Sequence, residues 1–307
     1  MAAPTNTFLS TAAIGNREDL TDVIYRISPT QTPFINLCAK GKATNTLHEW
    51  QVQDLASAVT TNAQAEGDTL TAVTATPTVR LNNRTQIAAK AISVSGTQRA
   101  MNPAGRNDEL SYQLSLKSLE IKRDMESALT QLDVLATSPR QARGLVGWVV
   151  DNVSNNAGTL ASYTGNTGRT LGTQRAFTET LLKTVLQAVY TAGGMVDTIM
   201  LPPAAKQTFS TFTGNATRFD KAEDSKVFAS VDVYVSDFGA ITAVPSRFMS
   251  ARDVFVLQSD KWSINYLRPF QTVELAKTGD ADLREILVEY TLEARAPKSS
   301  GAIYDIL

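Results

Sequence analysis

Residues 109–132 read ELSYQLSLKSLEIKRDMESALTQL, a run with neither glycine nor proline. Leu110, Leu114, Ile121, Met125, Ala128 and Leu132 fall on one stripe at helical spacing, and Asn107 or Asp108 stands where a side chain caps the first turn. At 1.5 Å per residue such a helix is about 36 Å long. Tyr112, Leu116 and Leu119 form a second apolar stripe along its first half, which predicts cover on two sides there. The charges Glu120, Lys122, Arg123, Asp124 and Glu126 are expected on a solvated face.

Just upstream, residues 47–54 read as a strand carrying Trp50 and Val52, and residues 79–95 as a second, longer strand rich in Val, Leu and Ile. The stretch between them, 56–78, is dominated by Thr, Ala and Ser. It has too little hydrophobic surface to offset the entropy of ordering it alone, and a loop this long in a compact domain is functional or disordered. The charges of this hairpin are sorted. Residues 43–79 hold Glu49, Asp54, Glu66 and Asp68 and no Lys or Arg, whereas residues 80–106 hold Arg80, Arg84, Lys90, Arg99 and Arg106 and no Asp or Glu. Pairing within one hairpin contributes roughly a few tenths of a kcal/mol per pair. Pairing of one limb with another copy of the chain steers association and fixes register. Both readings stay open at the sequence level, and Glu49, Asp54, Glu66, Asp68, Arg80, Arg84 and Lys90 are the candidates for inter-subunit contact.

Farther upstream, residues 1–45 look irregular apart from an amphipathic segment at 17–27, which Ser28-Pro29 stops. Pro29 and Pro33 keep the following stretch extended. Such an arm cannot bury Ile24, Ile27, Phe34, Ile35 and Leu37 on itself, so it lies on the body of its own chain or of a neighbour. Downstream of the long helix, Ser138-Pro139 ends that element and 144–150 resumes as a packed apolar segment. Residues 152–173 read as a plain surface loop; the glycines near 163–169 lack the Gly-Lys-Ser/Thr ending of a phosphate loop. A helix is expected over 177–190, stopped by Gly193-Gly194, with a buried strand over 198–201 and a helix entered through Pro202-Pro203. Residues 231–235, 241–244, 254–257, 264–267, 272–275 and 286–293 are strand candidates, so the body is α+β.

Counting removes several chemistries. A single histidine and a single cysteine allow no intrachain disulfide, no Cys/His zinc cluster and no site built on two imidazoles. With 29 basic and 30 acidic side chains, a globally basic nucleic-acid binder is disfavoured. No apolar run is long enough to span a bilayer and the start lacks a secretory signal, which predicts a cytoplasmic product without membrane partners. Cys38 reads as a small buried hydrophobe, the rival being a reactive thiol beside Lys40 and Lys42; His48 reads as an ordinary strand residue. Asp280 and Asp282 read as turn chemistry. The sequence carries no nucleophile elbow, no zinc-protease helix and no dinucleotide fingerprint. The expectation is a protein without catalytic, metal or cofactor sites.

Several strings resemble those of tailed-bacteriophage major capsid proteins of the Hong Kong 97-type fold, in a branch grouped with podophages. They are Arg17-Glu-Asp-Leu-Thr-Asp-Val-Ile24, Ser28-Pro-Thr-Gln-Thr-Pro-Phe-Ile35, His48-Glu-Trp-Gln-Val-Gln-Asp-Leu55 and Pro139-Arg-Gln-Ala-Arg-Gly-Leu-Val-Gly-Trp148. Later come Ser236-Asp-Phe-Gly239, Val244-Pro-Ser-Arg-Phe248, Leu267-Arg-Pro269, Leu275-Ala-Lys-Thr-Gly-Asp280 and Glu289-Tyr-Thr-Leu-Glu293. The resemblance implies an N-terminal arm (1–45), an extended loop (46–106), a peripheral domain with its spine helix (107–175), an axial domain (176–260) and a return to the peripheral domain (261–307). It also implies self-assembly into the hexamers and pentamers of an icosahedral head around double-stranded DNA, with portal and decoration proteins as further partners and the DNA held only by non-specific proximity. The chain starts at the arm without the large scaffolding domain of some relatives, so a separate scaffolding protein is expected. The alternatives are an encapsulin-type compartment shell, which cargo co-purification would reveal, or a hydrolase or carbohydrate-binding module. A carbohydrate-binding module would cluster its aromatics, whereas here they are 7% of residues and scattered.

Overall fold

The computed structural model describes residues 28–69, 74–101, 105, 108–212, 233–277 and 279–307. The amphipathic segment expected at 17–27 and the alternative cap Asn107 lie outside them. In chain order the elements are α1 (Pro33–Leu37), β1 (Ala39–Lys42), β2 (Leu47–Val52), β3 (Val79–Arg84), β4 (Gln86–Ser95), α2 (Gly96–Ala100), α3 (Glu109–Gln131), β5 (Ala136–Thr137), β6 (Arg140–Gln141) and α4 (Leu145–Trp148). Then follow β7 (Asn152–Ser154), α5 (Glu179–Thr191), β8 (Thr198–Leu201), α6 (Pro203–Phe209), β9 (Val233–Ser236), β10 (Gly239–Pro245), β11 (Val254–Leu257), β12 (Trp262–Glu274), β13 (Ala281–Ala294) and β14 (Gly301–Ile303).

The long helix forms as its periodicity predicts. Asp108 caps α3 by accepting the N–H of Leu110 and of Ser111, and Ser111 Oγ adds a third bond at 2.7 Å. Ile121, Met125 and Leu129 point into the core, while Leu114, Ala128 and Leu132 of the expected stripe are half-buried. The expected solvated face is corrected at Glu126, which is 0% exposed. Its carboxylate accepts the backbone N–H of Phe34 at 2.7 Å and of Ile35 at 2.9 Å, so the arm packs on the helix there.

Two sheets organise the rest. A four-stranded sheet in the order β1-β12-β13-β4 packs under α3. The strands expected apart at 264–267 and 272–275 are one strand, β12, with register irregularities around Arg268. The expected strand at 79–95 divides at Thr85: β3 pairs with β2 as a separate two-stranded ribbon, whereas β4 pairs along its length with β13. A six-stranded mixed sheet, β7-β14-β11-β8-β10-β9, lies between two cores. Alternation decides which residue goes where. Met200, Phe255, Leu257 and Ala302 join the core of α3, α4 and the four-stranded sheet. Their neighbours Ile199, Leu201, Val254, Val256 and Ile303 join a second core with α5 and α6.

Helix α5 starts at Glu179, two residues later than expected, with Thr178 as its cap, and ends where Gly193 takes φ 90°. The Gly194 N–H then reaches back to the Val189 carbonyl at 2.9 Å, a turn that a side chain at 193 would strain. The reading of 152–173 as a plain surface loop is also corrected. Arg169 within it is nearly enclosed, pairing with Asp253 at 2.7 Å and Asp305 at 3.1 Å, and its guanidinium lies 4.0 Å from the centre of the Tyr304 ring. The loop carries a buried charge network that fastens it to the last residues of the chain.

Candidate functional site

The hairpin of β2 and β3 has a fixed root and a free end. At the root, Leu81, Asn83 and Thr85 alternate inward, the last two with 0% exposure. Asn83 satisfies its whole amide. Its Nδ2 donates to the carbonyls of Arg143 at 2.9 Å and Leu292 at 2.8 Å, and its Oδ1 accepts from the N–H groups of Arg143 at 2.8 Å and Arg84 at 3.0 Å. Thr85 donates to Glu289 at 2.7 Å, and the same carboxylate pairs with Arg140 and Arg268, both at 2.8 Å. Burial works against the Glu289 charge, but Thr85 and the two guanidinium groups outweigh it and hold the carboxyl below its ordinary value.

His48 belongs to the same root. Its Nε2 lies 3.2 Å from Glu293 Oε2 and 2.8 Å from Asn265 Nδ2, and Arg295 approaches the other Glu293 oxygen at 3.1 Å. The hydrogen bond with His48, helped by Asn265 and Arg295 against burial, brings the Glu293 carboxyl down to about 2. Trp50 donates to the Ala294 carbonyl at 2.8 Å and lies in a line of rings, tilted against His48 on one side and Trp148 on the other, with Tyr163 stacked on Trp148. Asn83→Ala strips Arg143 and Leu292 of their partners and is expected to cost about 1–3 kcal/mol, read as a lower denaturation midpoint with an unchanged denaturant slope.

Beyond the root the hairpin is open to solvent. Every described residue from Gln53 to Thr69 and from Thr74 to Arg80 is exposed, including the apolar Leu55 (97%) and Val59 (67%). The candidate contact residues separate into kinds. Glu49 and Arg80 meet across the ribbon at 3.5 Å, both in solvent. Asp54 pairs with Lys298, and Lys90 with Glu120 at 3.1 Å and Asp124 at 2.8 Å, outside the hairpin. Glu66 and Asp68 are exposed and make no ion pair with any described residue. Arg84 is half-buried at the root with its Nε enclosed. The root residues Asn83, Thr85, Glu289 and Glu293 escape a reading based on charge runs; the available signal is two polar side chains on the inward period of a strand.

A second exposed surface lies around the edge strand β9. Val233 and Val235 face solvent there, and Phe238 stacks on Tyr190 of α5 at 4.6 Å. Elsewhere the thiol of Cys38 is buried, and burial followed by the Glu126 charge pushes it well up, the direction opposite to that of a nucleophile. Among the described residues no group of His, Cys, Asp and Glu is arranged to hold a metal ion, and no helix is long and apolar enough to cross a membrane.

Comparison with known proteins converges. A family model described as SU10 major capsid protein matches residues 3–307. The major capsid protein of Escherichia phage Phieco32 is 29% identical, the match covering 99% of this chain and 98% of that one. Among solved structures, the capsid asymmetric unit of cyanophage A-1(L) superposes with a TM-score of 0.69 at 15% identity, covering 97% of this chain and 98% of the other. A capsid of a native GTA particle gives a TM-score of 0.67 at 11% identity, covering 97% and 98%.

Proposed function

The chain belongs to the SU10 major capsid protein family, structural proteins of the phage virion on the Hong Kong 97-type fold, and from that premise we propose that it self-assembles into hexamers and pentamers of a closed shell enclosing double-stranded DNA. The observation that carries this reading is the hairpin: a buried root presenting an exposed end, acidic throughout residues 53–79, that rests on almost nothing in its own chain. Apolar side chains as open as Leu55 and Val59 are stabilised when a neighbour covers them. Contact of one copy's hairpin with the next is heterologous, and heterologous contacts close into rings when the rotation permits.

In this reading residues 28–45 belong to the arm and the segment beyond the hairpin root reaches a neighbouring subunit. The surface around β9, Tyr190 and Phe238 lies at the capsomer axis. A formal charge of −1 lets many copies pack without mutual repulsion and without gripping the packaged DNA. Scaffolding, portal and decoration proteins complete assembly in the host cytoplasm. The protein performs no catalytic turnover.

The electrostatic part is tested by charge reversal. Glu66→Lys with Asp68→Lys, and separately Arg80→Glu, change solvated side chains and are expected to leave the subunit folded, within about 0.5 kcal/mol of the parent. Each is expected to slow assembly in light scattering, and mixing the two variants should restore part of the rate. High salt should slow the parent as well, because exposed charges are screened beyond about 8–10 Å. Rescue only when both changes share one chain would mean pairing inside the hairpin. Assembly of both variants at the parental rate and salt dependence would remove the electrostatic role.

A further inference from the structure

The short helix α1 leaves two donors to satisfy. Pro33 at its first position has no N–H, the Asn36 N–H closes on the Thr32 carbonyl at 3.2 Å, and Thr32 offers no side-chain cap. The N–H groups of Phe34 and Ile35 remain, and both go to Glu126, one to each carboxylate oxygen. Beside the apolar packing of Phe34 and Ile35, the polar attachment of the arm's helical turn to α3 is thus a single side chain that is itself enclosed.

No cation among the described residues pairs with that carboxylate. On α3 the neighbouring charges are engaged elsewhere: Lys122 lies over the Phe270 ring at 5.9 Å, Arg123 over the Phe248 ring at 5.4 Å, and Asp124 pairs with Lys90. From the arm, the buried Cys38 thiol lies close enough for the Glu126 charge to push it up. From β12 and β13 the titratable groups that join the same core are the phenols of Tyr266 and Tyr290. None of these supplies positive charge to Glu126.

We propose that Glu126 is a proton-operated latch for the N-terminal arm: the neutral acid holds α1 on α3, and loss of its proton loosens the arm. An enclosed carboxylate without a cation forfeits its hydration, and two N–H bonds recover only part of it, whereas the neutral acid forfeits far less. Burial accordingly raises the Glu126 carboxyl to about 7, against the two N–H bonds. The docked arm therefore binds a proton that the undocked arm, with Glu126 in water at its ordinary 4.5, does not. Docking is fully favoured below about pH 4.5 and weakens as pH rises through about 7, so the docking constant falls about tenfold between about pH 6 and 8. The latch acts within one chain and does not depend on how subunits assemble.

Cys38, the sole cysteine of the chain, sits buried at the end of α1 and reports on opening. The test follows iodoacetamide labelling of Cys38 and amide hydrogen exchange of residues 33–38 in the full-length chain from about pH 6 to 8. Rates are normalised to an unstructured peptide of the same sequence, which removes the intrinsic pH dependence of both reactions. Opening of the parent should rise about tenfold over that range, while Glu126→Gln, neutral at every pH and still carrying an acceptor oxygen, should stay flat. An equal rise in both proteins would overturn the proposal. The parent profile also decides by itself should the glutamine variant fail to fold, since a flat or falling curve through pH 7 refutes a proton latch.

Discussion

Arg169→Met is expected to lower the unfolding free energy of the soluble subunit by about 3–5 kcal/mol. The guanidinium sits between Asp253 and Asp305, both almost without solvent access; of these two carboxylates Arg252 reaches Asp305, at 3.2 Å, and it also donates to the Gly172 carbonyl. Removing Arg169 leaves Asp253 buried without its cation. Burial already pushes the Asp253 carboxyl up despite Arg169, so the variant protonates it or breaks open around it. Asp305 is affected differently: burial opposes its charge, but the Gly172 N–H and Arg169 together hold its carboxyl low. The loss therefore reaches both the loop around Gly172 and the chain's last residues, where the Arg175 N–H donates to the Asp305 carbonyl and the Leu307 N–H to the Arg175 carbonyl. Adding Asp253→Asn to Arg169→Met should recover part of the loss by removing the stranded charge. A chemical-denaturation loss under about 1 kcal/mol for Arg169→Met would contradict this account of the network.

Met125→Asp is the second large effect. Met125 is 0% and Ile121 1% exposed, one turn apart on the face of α3 that meets the four-stranded sheet and α4. A carboxylate at 125 exchanges a filled apolar volume for an unpaired charge, a loss of about 4 kcal/mol or more. The variant is expected to accumulate as insoluble or unfolded chain, and Ile121→Asp should behave alike. Ser115→Asp, on the exposed side of the same helix, should stay within about 0.5 kcal/mol of the parent. Soluble, cooperatively unfolding Met125→Asp subunits would show that the buried face is assigned wrongly.

What was legible in the sequence was what is local and periodic. Helix α3 announces itself because its apolar residues recur every three or four positions and Asp108 precedes them, and β8 and β11 because short apolar runs are bounded by turn residues. The break at Thr85 is hidden because no turn residue marks it, although the inward side switches there from odd positions (81, 83, 85) to even ones (86–94) as the partner strand changes. Glu126 looks like any helix-surface charge, since the donors that bury it lie 92 and 91 residues away. Arg169 sits in a stretch without periodicity, and its carboxylates are 84 and 136 residues distant. The sorted charges of the hairpin were visible as composition. That Asp54 and Lys90 would pair outside the hairpin while Glu66 and Asp68 find no described partner was not, because those pairs are set by the assembled fold.

The exposed end of the hairpin is expected to be completed by another copy of the chain. Electron cryo-microscopy of particles formed by the full-length protein tests it directly. Closed shells are expected in which residues 53–69 and 74–78 of each subunit lie against a neighbour, with Leu55 and Val59 covered and Glu66 and Asp68 facing basic side chains. Shells in which those hairpins touch no neighbour, or a chain that stays monomeric under conditions where related capsid proteins assemble, would contradict it.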